Sequence, residues 1–220
     1  MTVTVISRIV TVARWEPDAR GRLAVAALEL YAERGYDRTT VADIAERAGV
    51  TERTFFRHFA DKREVLFDGS NTLQNTAVAE IADAPAGAAP LEIAGEALAL
   101  ASRILEDRRP FALLRAQVIA ANTSLLEREL LKMWALGNAA ADALRARGVP
   151  PEQARLAAES AVTVFRAAFA RWIAAGADLP IDAHVRAALA DLTALAAAPD
   201  PDTAATATAP ATSSDASRRR

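Results

Sequence analysis

A chain of 220 residues with no cysteine and a formal net charge of −2 is long enough for one large core or two smaller ones. The missing cysteines exclude disulfides and thiolate chemistry and fit a cytoplasmic protein, and the near-neutral charge excludes a protein that coats nucleic acid indiscriminately, though not one that docks through a local basic face. Apolar residues make up 52% but aromatic ones only 5%, so alanine, leucine and valine carry the core, and an all-α fold is predicted.

Residues 1–15 are mildly apolar but are interrupted by Arg8 and followed by no good cleavage site, so a flexible extension is expected rather than a signal peptide. No segment approaches the roughly 18 apolar residues that span a bilayer; the best candidate, AVTVFRAAFARWIAAGA, is broken by Arg166 and Arg171. Trp15 to Asp18, with Pro17 at an early position, lead into a first helix that ends at Gly35. Arg20 and Arg22 open that helix at positions suited to flanking phosphates.

The next stretch, Thr39 to Lys62, predicts two short helices around a tight glycine turn. Thr40 is placed to cap the first, with Asp43 answering as the capping-box partner, and Val41, Ile44, Ala45 and Ala48 share one face. Gly49 stands where a positive φ commonly stops a helix. Thr51 caps a second helix to about Phe59, in which Phe55 and Phe59 form an aromatic underside. Its other face carries Glu52, Arg53, Thr54 and Arg57, a polar surface suited to a DNA major groove. Arg63 adds to the basic cluster, and Asp61 caps a fourth helix expected from near Lys62 to about Ala82.

Over this ungapped stretch the chain resembles the TetR family of transcriptional repressors. The resemblance rests on Thr40, Ile44, Ala45, Ala48, Gly49, Val50, Thr51, Thr54, Phe55, Phe56, His58, Phe59 and Lys62, with Leu28, Tyr31, Gly35 and Tyr36 upstream. It covers roughly residues 16–67. One position departs: the family usually has tyrosine, whose hydroxyl commonly meets a phosphate, where this chain has Phe56. The resemblance implies a three-helix DNA-binding domain at 16–67 followed by a helical effector-binding and dimerisation domain at 68–198, about nine helices in all. It also implies a homodimer on a palindromic operator, responding to a small-molecule effector. Glu52, Arg53 and Thr54, with Arg57, are then the candidates for base edges, while Thr40, Thr51, Phe56, His58 and Lys62 complete the DNA-facing set.

Beyond the break at Asp83–Gly87, helices are predicted at about Leu91–Glu106, Phe111–Ala121, Ser124–Arg147, Pro151–Ala175 and Pro180–Ala197. Residues 199–220 lack large apolar side chains and read as a disordered tail. Leu156, Ala161, Val164, Phe165, Ala168 and Trp172 form one apolar stripe, and Val185, Ala188, Leu189, Leu192 and Leu195 another, so the last two helices are the expected dimer interface. Phe111, Met133, Trp134, Phe165, Phe169 and Trp172 are the large side chains from which a mostly apolar effector pocket is expected, with Arg115, Gln117 and Asn122 available for orientation.

Catalysis is not expected. The two histidines, His58 and His184, have no ligand-spaced neighbours, His184 reads as a surface residue, and no phosphate loop or nucleophile elbow appears. No cofactor or metal site is read. Two other readings stay open: a helical interaction adaptor with a degenerate DNA head, and an activator of the same fold.

Overall fold

The computed structural model describes residues 19–175 and 179–197; the readings placed on the N-terminal extension, the Trp15–Asp18 lead-in and the tail lie outside those residues. The described residues form nine α-helices and two 3-10 turns, with no strand. In chain order these are α1 (Ala19–Arg34), α2 (Val41–Arg47), α3 (Glu52–His58), a 3-10 turn (Glu64–Phe67), α4 (Ser70–Asp83), α5 (Pro90–Ser102), a second 3-10 turn (Arg103–Arg108), α6 (Arg109–Ala120), α7 (Thr123–Ala146), α8 (Pro151–Ala174) and α9 (Ile181–Ala197). No helix among them is long and apolar enough to cross a membrane.

Two apolar clusters organise the molecule. The first joins Leu23, Ala27, Leu30 and Tyr31 of α1 to Ile44, Phe55 and Phe59, and is continued by Val118, Ile119 and Leu125 from α6 and α7. The second is built from α4, α5, α7, α8 and α9. In it α8 packs against α5, α7 and α9. Ala154, Ala158, Ala161 and Ala168 of α8 are wholly buried, so small side chains set the helix spacing. Gly95 of α5 faces α9 so closely that a Cβ there would stand 2.6 Å from Leu189 Cδ2.

Helix ends are closed by long side chains as well as by local caps. Asn122 Oδ1 accepts the N–H groups of Ser124 and Leu125 at the start of α7, at 3.1 and 3.2 Å. Arg147 donates to the carbonyls of Ala82 and Ala84 at the end of α4, at 2.6 and 2.7 Å. Glu106 accepts the Ile181 N–H at 2.9 Å, on the first turn of α9.

The structure corrects four expectations. The fourth helix is not continuous. Asp61 Oδ1 does accept the Arg63 and Glu64 N–H groups, at 2.7 and 3.1 Å. The chain then enters a 3-10 turn, because Val65, Leu66 and Phe67 are consecutive and all buried, which a one-faced α-helix cannot arrange. The helix expected to run to Glu106 likewise stops at Ser102, whose hydroxyl turns back onto the Ala99 carbonyl at 2.6 Å, and continues as a 3-10 turn. Most of the two stripes read as a dimer interface lies in the chain's own core: Ala161, Val164, Phe165, Ala168, Trp172, Val185 and Ala188 are buried, while Leu156 and Leu195 point outward. Finally, His184 is only half-exposed, and its Nε2 is buried without a hydrogen-bond partner among the described residues.

Candidate nucleic-acid interface

The α2–turn–α3 unit is held by local chemistry. Asp43 N–H donates to Thr40 Oγ1 at 3.1 Å while Thr40 N–H donates to Asp43 Oδ2 at 2.8 Å, a reciprocal capping box. That bonding to Thr40 holds the Asp43 carboxyl below the usual carboxylate range. Gly49 takes φ +67°, a left-handed conformation that side chains disfavour, and this lets Val50 N–H reach the Ala45 carbonyl at 2.9 Å. Thr51 then caps α3, its Oγ1 accepting the Thr54 N–H at 3.2 Å.

Seven residues make a short helix, so α3 depends on its underside for position. Phe55 and Phe59 supply that underside, buried with their rings 5.7 Å apart. The outward face is left with Glu52, Arg53, Phe56 and Arg57 exposed, and Thr54 half-buried at its edge. Among the described residues, no hydrogen bond or ion pair within the chain engages Arg53 or Arg57. His58 is half-exposed and turns Nε2 inward, where it finds no partner among the described residues.

Other basic residues near the motif are engaged inside the protein. Lys62 Nζ donates to the Tyr36 and Thr39 carbonyls, both at 2.9 Å, and lies 4.3 Å from the Tyr36 ring centroid. The Tyr31 hydroxyl in turn donates to the Lys62 carbonyl at 2.6 Å, and burial pushes that phenol's pKa far up. Together these contacts tie the α1–α2 loop to the segment after α3. Arg20 pairs with Asp68 and lies over the Phe59 ring, Arg22 donates to the Ala48 carbonyl at 3.1 Å, and Arg63 pairs with Asp61. Apart from the local Arg63–Asp61 pair, these internal roles are not visible in the sequence pattern, since each depends on a partner in another part of the fold.

The residues expected to line an effector pocket are not gathered around one cavity. Phe111 packs against the head cluster, and Arg115 is committed to the Leu66 carbonyl at 2.6 Å and to Glu129 at 2.7 Å. Phe165, Phe169 and Trp172 do meet, with successive ring centroids 6.3 and 5.9 Å apart, and Met133 packs against the same body core. Trp134, however, is 68% exposed, part of an outward stripe with Leu126, Leu130 and Leu131 on α7. A groove of about 440 Å³ lies elsewhere, between the end of α1 and α6, lined by Tyr31, Tyr36, Gln117, Val118 and Asn122 among others.

Residues 23–68 match the family model for bacterial regulatory proteins of the tetR family. The chain carries a TetR-family DNA-binding domain. Over 73 residues it is 44% identical to the HTH-type transcriptional regulator TcmR of Streptomyces glaucescens, covering 33% of this chain and 32% of that protein. Over 48 residues it is 40% identical to the HTH-type transcriptional activator FasR of Mycolicibacterium smegmatis, covering 22% of each. The matched stretches thus span a third or less of these curated relatives. The helical architecture as a whole is TetR-like: the Thermus thermophilus FadR structure, a TetR-family transcriptional repressor in complex with lauroyl-CoA, superposes with a TM-score of 0.53 at 22% identity, over 82% of this chain and 96% of that one.

Proposed function

We propose that this chain is a TetR-type transcriptional regulator, a ligand-responsive repressor that binds a palindromic operator as a homodimer. The outward face of α3 carries the reading: Glu52, Arg53 and Arg57 stand exposed on a capped helix anchored by Phe55 and Phe59, and among the described residues the two arginines have no partner. Arg53 is assigned to a guanine edge, with Glu52 and Thr54 beside it and Arg57 at the flank. Thr40, Thr51 and His58 position the head on the backbone, and Lys62 does so chiefly by shaping the loop it tethers.

Homodimerisation is assigned to the outer surface of α8 and α9. Ala167, Ala170 and Ala174 on one helix and Ala187, Ala190 and Ala194 on the other are exposed, and small side chains permit close helix approach. The effector is proposed to be largely apolar and to act on the Phe165–Phe169–Trp172 cluster, with Met133 packed on the same core. The fatty acyl ligand of the Thermus FadR structure supports that chemistry on the same fold. Because one of the relatives is described as an activator and the FadR structure as a repressor, the sign is tested directly.

The test is selection of bound duplexes from random and genomic DNA by the full chain, followed by transcription from a promoter carrying the selected motif. Recovery of one palindrome with half-sites about a helical turn apart, and lower transcription when the protein is present, is the expected result. Higher transcription would replace repression with activation, and no sequence enrichment by a folded protein would replace the regulator with an interaction adaptor.

A further inference from the structure

Phe56 does not fit the chemistry of its surroundings. It sits on the outward face of α3, 56% exposed, between Glu52 and the arginines Arg53 and Arg57, while the helix already has two buried phenylalanines for anchorage. The Phe55 ring meets it edge-on, with centroids 5.4 Å apart and planes at 81°, which supports the Phe56 ring from beneath and leaves its outer side open. A phenyl ring offers no donor to a phosphate, so it cannot serve the charged backbone that its arginine neighbours suit. On the floor of the major groove the one apolar group a base presents is the C5-methyl of thymine.

We propose that Phe56 reads a thymine methyl in each half-site, so that this chain distinguishes thymine from uracil at one defined position. The inference rests on the head being a DNA reader and names part of what it reads. Arg53 and Arg57 beside it supply charge complementarity to the duplex, and that commits the occupant of this apolar spot to DNA rather than to a protein partner. A deoxyribose face is the competing apolar surface on DNA, and it is unchanged when thymine is replaced by deoxyuridine.

The experiment takes the duplex enriched by the full chain and replaces its thymines one at a time by deoxyuridine, measuring equilibrium binding of the wild-type protein, F56A and F56L. For the wild type, one thymine per half-site should cost about fourfold on losing its methyl, the factor expected for one buried methyl, with random duplexes unaffected. F56A, which loses the ring from both subunits, should bind the thymine duplex about as weakly as the wild type binds a duplex with deoxyuridine at that position in both half-sites, and should show no difference between thymine and deoxyuridine. Loss of the Phe55 edge contact should lower its melting temperature only slightly. F56L should keep part of the discrimination. Sequence-specific binding by the wild type that ignores every thymine methyl would overturn this inference and leave the regulator intact, as would an F56A protein that retains the full difference. Absence of any sequence-specific binding would sink the regulator reading and this inference with it.

Discussion

Helices α3 and α7 both carry basic side chains on outward-facing turns, and both expose large apolar residues, yet they use them differently. On α7, Arg128 donates to Glu64 at 2.6 Å and Lys132 lies 3.4 Å from the same carboxylate, while Arg115 of α6 is bound to Glu129. All of this converges on the 3-10 turn after the head, where Arg115 also holds the Leu66 carbonyl and lies 5.0 Å from the centre of the Phe67 ring. On α3, Arg53 and Arg57 have nothing comparable beside them among the described residues. A count of basic residues cannot separate a clamp from a reading surface; the acids and carbonyls within reach of each guanidinium can. The difference predicts where mutation will damage binding and where it will damage the fold.

The sharpest test of that division is Arg53→Ala. Losing a bidentate base contact removes about 1–3 kcal/mol of discrimination per half-site, hence about 2–6 kcal/mol over a symmetric dimer. Affinity for the selected operator should fall by that much, with little change on random DNA and none in melting temperature. Equal losses on operator and random duplexes would move Arg53 from base readout to phosphate positioning.

Lys62 breaks the simple expectation that every basic residue of the motif serves DNA. Lys62→Met keeps the aliphatic stem but leaves the Tyr36 and Thr39 carbonyls without their charged donor, so it should destabilise the chain by about 2 kcal/mol in denaturant unfolding. The salt dependence of DNA binding should then change little, because the slope counts phosphates neutralised. A slope reduced by about two, one phosphate per subunit, with stability intact would return Lys62 to the backbone contact that the sequence alone suggested.

These cases also show which parts of the structure were legible in the chain. The capping box at Thr40 and Asp43, the turn at Gly49 and the cap at Thr51 were readable because each is settled within a few residues. The break after Lys62 was not, since it comes from burying Val65, Leu66 and Phe67 together against other elements. Trp134 was read as pocket lining because it is large. But α7 has two apolar faces, one running through Leu125, Leu136, Ala140 and Leu144, the other through Leu126, Leu130 and Trp134, and only the packing of the other helices decides that the first is buried. Phe56 was placed among the DNA-facing residues by the resemblance but was given no contact of its own, because a ring without a hydroxyl cannot take the tyrosine's phosphate and its sequence neighbours do not say which way it points; its exposure does.

The smallest expected effect concerns the clamp itself. Burial works against ionisation of Glu64, but its hydrogen bond to Arg128 and the charge of Lys132 outweigh it and hold the carboxyl below the usual range. The folded chain therefore binds fewer protons at this site than the unfolded one. The stability it contributes is present above the unfolded glutamate pKa of about 4.3 and is lost as pH falls through the lower folded value. Partial exposure limits the contribution to about 1 kcal/mol, so Glu64→Gln should lower the melting temperature by about 2–4 °C at neutral pH. That gap should begin to narrow as pH falls below the unfolded pKa and should close below the folded one, where both proteins carry a neutral group at position 64. A gap independent of pH would mean that the side chain matters for packing and not for charge, and α7 would then hold the turn by its apolar contacts alone.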